Sequence, residues 1–395
     1  MNICLVIEGT YPWYMGGVSE WLYRYLLHFP NDSFDIIQIA TDEYRFSSLE
    51  QAYYPLLENI RSFTRIAVPE LNNPSSSSYE KWWRYEEIDL NSLKKCQLVQ
   101  VTNTGFAGLL GVHLSESLHI PLVLTEHAIY WKEIELGTPA LECGYRLPET
   151  AEEKSDYVNN FKKIADLVYS RADTIISVSK SNVPYQQQLG ANSIRYIPNG
   201  VDKQLLKPSS SAPTGKENYL KIGWIGRCAQ MKNPLAFFEY VDEFQRRTNL
   251  VEFIMMIADA GEDDLMQQVK EKARQYQNFQ LLINCKSRDY LDQMDALCIT
   301  SLHESQPLVI LEALAQFVLP FGREVGDATA EYGLLFPATA TIPAIVDHVL
   351  DLYRNKEVWQ TFLMDKHQII RDMHTWDKIF REYKMIYERT IYSNN

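Results

Sequence analysis

A chain of 395 residues, 46% hydrophobic and 23% charged, has the composition of a folded protein and is too long for one ordinary core, so two domains are expected. Its 51 acidic against 38 basic residues leave a net charge of −13, which excludes broad nucleic-acid binding because that needs a basic surface. No run reaches the ~20 apolar residues of a membrane helix, and the start MNICLVIEG lacks the basic stretch of a secretory leader.

The first half alternates short apolar runs with amphipathic stretches. NICLVIE (2–8), FDIIQIA (34–40), QLVQV (97–101), IPLVLTE (120–126) and TIISVS (174–179) are predicted as buried parallel strands. Helices are predicted between them at 17–29, 105–118 and 152–172, and a polar excursion at 70–92. RYIPNGVD (195–202) is a strand running into an Asn-Gly turn, and KPSSSAPTGKEN (207–218) has a linker's composition.

The same rhythm returns in LKIGWIG (220–226), VEFIMMIA (251–258), FQLLIN (279–284) and ALCITS (296–301), with helices near 233–248, 261–275 and 307–316. Two βαβ series predict an α/β chain of two Rossmann-like, doubly wound domains, 1–206 and 219–371, facing a cleft. The amphipathic end, 372–395, is expected to pack back on the first domain. The six cysteines form no CxxC pair and the eight histidines no HxxxH or HExxH spacing. Reduced thiols, a cytoplasmic setting and no dedicated metal site are therefore expected.

Chemistry is predicted where strands end. In EGTYPWYMGGVSEWL (8–22), Gly16 and Gly17 open a helix, so backbone N–H groups could meet an anion; a turn needing positive φ fits the pattern equally well. His127 follows a strand, a place that favours function, although a lone histidine is more often an ordinary satisfied residue. Arg227 and Lys232 lie just past the second domain's first strand, where a guanidinium fork and a compact ammonium suit a pyrophosphate. Taken alone, they are more often a pair of solvated surface cations.

HESQPLVILEALA (303–315) places Glu304 before a helix that starts near Pro307 and Glu312 about a turn and a half inside it. First-turn N–H groups around Ser305, Gln306, Leu308 and Val309 can meet a phosphate, while the carboxylates can accept from vicinal hydroxyls. That layout suits a nucleotide-sugar. An NAD-linked oxidoreductase is a poor fit, because no GxGxxG follows the first strand.

In order, GGV, TEH, PNGVD, GR…K, Glu304-x7-Glu312 and GLLFP (333–337) resemble the retaining GT-B glycosyltransferases of family 4. The stretches EGTYPWYMGGVSEW, NTGFAGLLG and LTEHAIYWKEIEL further resemble its PelF-like exopolysaccharide subgroup. The resemblance implies a metal-independent hexosyltransferase that uses a nucleotide-sugar as co-substrate, with UDP as the nucleotide and no other cofactor. It assigns Arg227 and Lys232 to the leaving diphosphate, Glu304 to the transferred sugar, Glu312 to the ribose and His127 to orienting the sugar. Residues 305–309 would add to the phosphate site, with Gly16 and Gly17 facing it.

A glycan, lipid-linked or other hydroxyl acceptor would meet the first domain near Tyr11, Tyr14 and Tyr130. No transmembrane segment or nucleic-acid partner is implied, and peripheral membrane contact is compatible with the reading. The chain departs from the family at Phe317 and Leu319, where Gly and Pro are commoner. A catalytically silent GT-B protein that binds a nucleotide-sugar or a partner subunit is the alternative.

Overall fold

The computed structural model describes residues 1–9, 11–13, 16–40, 49, 52–67, 88–137, 150–211 and 219–393. Tyr14, most of the 70–92 excursion and residues 212–218 lie outside them. The chain forms two compact units, Met1–Pro198 with Ile379–Asn395, and Asn199–Lys378.

The first unit runs β1 (Asn2–Glu8), α1 (Gly17–His28), β2 (Ser33–Ala40), β3 (Ile60–Ala67), α2 (Leu90–Leu93), β4 (Leu98–Val101), α3 (Phe106–Leu118), β5 (Leu122–Glu126), α4 (Tyr130–Leu136), α5 (Ala151–Arg171), β6 (Thr174–Ser177), α6 (Val183–Gln188) and β7 (Arg195–Tyr196). Its sheet is parallel in the order β3-β2-β1-β4-β5-β6-β7. The strands are apolar runs because helices cover both faces.

The second unit contains β8 (Leu220–Arg227), α7 (Pro234–Arg247), β9 (Val251–Ala258), α8 (Asp263–Ala273), β10 (Phe279–Ile283), β11 (Ala296–Ile299), α9 (Leu308–Ala315), β12 (Leu319–Arg323), β13 (Leu334–Phe336), α10 (Ile342–Arg354) and α11 (Lys356–Met373). Its parallel sheet has the order β10-β9-β8-β11-β12-β13. Both units are Rossmann-like, and each strand order reverses direction once, between β1 and β4 and between β8 and β11. The core of the second unit has two layers, one on each face of its sheet.

The last helix, α12 (Trp376–Ser393), begins in the second unit and supplies Ile379 onward to the first. Phe380, Tyr383 and Tyr387 recur at helical spacing on it and meet Trp21 and Tyr25 of α1 at ring-centroid distances of 5.8–6.4 Å. Tyr387 also donates to Gln100 on β4, at 3.0 Å. Burying each such ring contributes about 2 kcal/mol.

The boundary between units falls at 198/199, ahead of the Ser/Pro-rich stretch at 207–218. Composition marks that stretch as linker-like, yet residues 199–207 are tied into the second unit. Val201 bridges Thr375, the Gln316 amide donates to the Leu205 carbonyl, and Lys207 N–H donates to Ala315 at 3.0 Å.

Helix α3 lies close against β4 because Gly111 has no side chain: a Cβ there would come within 2.2 Å of Val101 Cγ1. Gly111→Ala should therefore destabilise the chain by about 1–3 kcal/mol, measured as a lower urea midpoint with an unchanged slope.

Candidate functional site

In the second unit the strand order reverses between β8 and β11, and ligands of open α/β sheets bind at such reversals, beyond the carboxyl ends of the strands. Arg227 is the last residue of β8 and is half-buried. Lys232 comes from a 3-10 turn, Gln230–Lys232, that follows. That turn is stitched to the loop after β11: Thr300 donates to the Lys232 carbonyl at 2.8 Å and accepts from the Trp224 indole at 2.8 Å, while Leu302 N–H donates to Met231 at 2.8 Å. The result is an ion pair between the Lys232 ammonium and Glu304 Oε1. An ammonium has three donors and a carboxylate about four acceptor positions, so the pair leaves both groups able to engage a ligand.

Glu304 and Ser305 run directly over Gly326. A Cβ on Gly326 (φ +58) would lie 2.1 Å from the Glu304 carbonyl oxygen and 2.5 Å from that of Ser305. Asp327 N–H donates to the Ser305 carbonyl at 2.8 Å. Helix α9 then starts at Leu308, one residue later than expected, with Pro307 at its cap. No side chain caps α9 and its first turn holds no acid, so the N–H groups of Leu308 and Val309 remain where the helix dipole favours an anion. Gln306 is buried and its amide oxygen accepts from Asn199 N–H, so its side chain braces the loop. Glu312 is half-buried on α9.

The departure at Phe317 has a structural counterpart. Phe317 N–H bonds to Leu314 and Val318 N–H to Ala313, which is a Schellman end to α9 with Phe317 at the left-handed position, φ +62. Glycine is usual there. Phe317 is held by stacking on His367, with ring centroids 4.1 Å apart.

In the first unit, Gly16 is extended (φ −170) and the positive φ of this turn belongs to Gly9 (φ +98). Glycine at 16 is thus not demanded by backbone angle. Gly17 begins α1 and is exposed. Tyr11 is buried against Tyr54, and Tyr130, half-buried, packs over Gly105. These two tyrosines pack within the unit.

His127 is buried after β5, edge-on to Trp21 with ring centroids 4.6 Å apart, and its Nε2 has no partner among the described residues. Burial holds its pKa down at about 3, so the imidazole is neutral at physiological pH.

Two carboxylates that motif reading passed over sit at the same sheet edge. Glu8, at the end of β1, accepts from Ala107 N–H and supplies the negative charge that the first turn of α3 lacks. Glu126, fully buried at the end of β5, accepts from Thr104 (2.6 Å), Tyr169 (2.7 Å) and Gln186 (2.7 Å). Burial pushes its pKa up to about 6, against the pull of those three donors. An acid closing an otherwise apolar strand is the signal that marks both.

Among the described residues, no group of three or more His, Cys, Asp or Glu side chains could hold a metal ion, and no helix is long and apolar enough to cross a membrane.

Residues 220–355 match the family model for glycosyl transferases group 1, and residues 1–89 and 87–193 match a domain of unknown function, DUF3492. No curated protein matches in sequence. Among solved structures, sucrose-phosphate synthase from Thermosynechococcus elongatus is 14% identical with a TM-score of 0.72, over 99% of both chains. A glycosyltransferase from Rickettsia africae is 14% identical with a TM-score of 0.67, over 99% of this chain and 98% of that one. The catalytic domain of starch synthase IV from Arabidopsis thaliana, bound to ADP and acarbose, is 12% identical with a TM-score of 0.63 over 99% of both chains. The fold is that of GT-B glycosyltransferase structures, and the second unit carries the group 1 glycosyltransferase sequence.

Two predictions follow from these contacts. Gly326→Ala should displace Glu304 and Ser305, costing about 2 kcal/mol or more of stability and weakening nucleotide binding, as calorimetry on the folded variant would show. The second concerns pH. His127 titrates at about 3 folded against 6.5 unfolded, so as pH falls the unfolded state takes up the proton first and stability is lost. Between pH 7 and pH 5 that loss is about 2 kcal/mol. Glu126, at about 6 folded against 4.5 unfolded, works the other way and returns about 1 kcal/mol over the same interval. Relative to wild type, His127→Phe should therefore gain stability on going from pH 7 to pH 5 and Glu126→Gln should lose it, read from urea midpoints at both pH values.

Proposed function

We propose that the chain transfers a hexosyl unit from a nucleotide-sugar, with UDP as the nucleotide, to a glycan, lipid-linked or other hydroxyl acceptor, retaining the anomeric configuration. The observation that carries this reading is the pairing of Lys232 with Glu304 where β8 and β11 diverge, beside the uncapped start of α9. One cation, one hydroxyl-accepting carboxylate and an anion-favouring helix start match a diphosphate joined to a sugar. The ADP in the starch synthase neighbour supports a nucleoside diphosphate ligand.

In this mechanism Lys232 and Arg227 neutralise the diphosphate as the glycosidic bond lengthens, and the N–H groups of Leu308 and Val309 share its charge. Glu304 holds hydroxyls of the departing sugar and Glu312 those of the ribose. The neutral His127 offers a hydrogen bond to the sugar without adding a charge. The acceptor hydroxyl attacks on the face that the diphosphate leaves and gives its proton to a phosphate oxygen. Positioning and charge stabilisation carry the rate, and neither a protein nucleophile nor a metal ion is needed. The acceptor points to polysaccharide or glycoconjugate synthesis.

Incubation with a panel of nucleoside diphosphate sugars tests the reading. One donor should be hydrolysed slowly in the presence of EDTA, with the released sugar keeping its anomeric configuration by NMR. Lys232→Ala and Glu304→Ala should each lower that rate about 100- to 1000-fold while remaining folded. If no donor is cleaved but one raises the melting temperature, the protein is a nucleotide-sugar binder instead.

A further inference from the structure

Four buried residues of the second unit form one line of hydrogen bonds that ends at the donor loop. The Tyr332 hydroxyl meets His374 Nε2 at 3.0 Å, His374 Nδ1 meets the Asn199 carbonyl at 2.9 Å, and Asn199 N–H donates to the Gln306 amide oxygen. Their exposures are 5%, 0%, 5% and 8%. A carbonyl can only accept, so Nδ1 carries the proton, and a neutral Nε2 accepts from Tyr332. The His374 carbonyl in turn accepts from Val201 N–H at 2.7 Å, and Trp376 N–H donates to Val201 at 3.1 Å. Asn199 opens the second unit, and His374 stands near its close at Lys378. Gly200 lets the two segments touch, since a Cβ there would lie 2.9 Å from both the Trp376 backbone N and its ring.

We propose that Tyr332, His374 and Asn199 are positioning residues for donor binding: they fix Gln306, and through it the start of α9, from the segments that open and close the unit. Gln306 stands between Glu304 and the first N–H groups of α9, so its bond to Asn199 fixes the loop at that point. Gly326 supports the loop from below at 304–305, whereas this line fixes it at 306. The donor role rests on the function proposed above; the ordering role does not.

The test compares His374→Phe, which removes both ring nitrogens, with His374→Asn, whose amide can still donate to the Asn199 carbonyl. Tyr276→Phe, which loses a bond to Asp242 elsewhere in the unit, is the control. In His374→Phe the backbone amides of 305, 306, 308 and 309 should exchange with deuterium about tenfold faster, the loss of about one hydrogen bond of local order. The KM for the donor should rise by a similar factor, with a smaller change in kcat. His374→Asn should recover most of both, and Tyr276→Phe should change neither.

Unchanged exchange at those amides in His374→Phe, or equal acceleration in Tyr276→Phe, overturns the positioning role. Faster exchange with a wild-type donor KM overturns its link to the donor. Should the wild type bind no nucleotide-sugar, the proposed function fails while exchange still decides whether His374 orders the loop. If His374→Phe does not fold, Tyr332→Phe, which keeps the ring and frees only Nε2, must show the same changes at smaller size.

Discussion

The candidate site of the second unit depends on one backbone contact, the passage of Glu304 and Ser305 over Gly326. Two carbonyl oxygens occupy the space a side chain would fill, and Asp327 N–H satisfies one of them. With the chain held at that height, Glu304 reaches Lys232 and Gln306 reaches Asn199. The lysine is brought to meet it by a separate device, the Trp224–Thr300–Lys232 line of hydrogen bonds, which ties the turn after β8 to the loop after β11. Two strands adjacent in the sheet therefore deliver their loops to one place, with the fit set by backbone contacts more than by the charged groups themselves.

The two units use the same architecture to opposite electrostatic ends. At the first unit's strand reversal the helix start is occupied: Glu8 accepts from α3, and Gly105 leaves room for its carboxylate. At the second unit's reversal α9 has neither a capping side chain nor an acid in its first turn. An internal carboxylate at the first helix start disfavours a phosphate there, whereas the second favours one. Neutral His127 and deeply buried Glu126 continue this pattern, since neither adds a mobile charge at the first unit's edge.

Much of this was legible before the structure. Strands with continuous apolar runs, such as β1 and β9, were found at their true limits because burial on both faces leaves no polar residue to blur them. Strand β3 escaped because Arg61 and Arg65 interrupt it at the sheet edge, and β12 because Pro320 and Gly322 read as breakers. The candidate residues Arg227, Lys232, Glu304 and Glu312 were visible by type and spacing. Thr300, Gly326, Asn199 and His374 were not, because their contacts join residues apart in sequence, from 22 residues between Gly326 and Glu304 to 175 between Asn199 and His374. The unit boundary at 198/199 was hidden for a related reason. Composition records how flexible a segment would be alone, and residues 199–207 are held by partners that composition does not show.

The end of α9 shows how a left-handed residue other than glycine is accommodated. A left-handed residue other than glycine costs roughly 1–2 kcal/mol, and Phe317 occupies that position inside a fully hydrogen-bonded Schellman turn. Burial of its ring against His367 contributes about 2–3 kcal/mol, enough to offset the backbone cost. Burial also lowers the His367 pKa, so the stacked ring stays neutral and needs no counter-charge in the core. The substitution is absorbed behind the helix, at the end away from the loop that carries Glu304. The first turn, where the charge of a diphosphate would be felt, keeps the geometry that the opposite end of the helix could have disturbed.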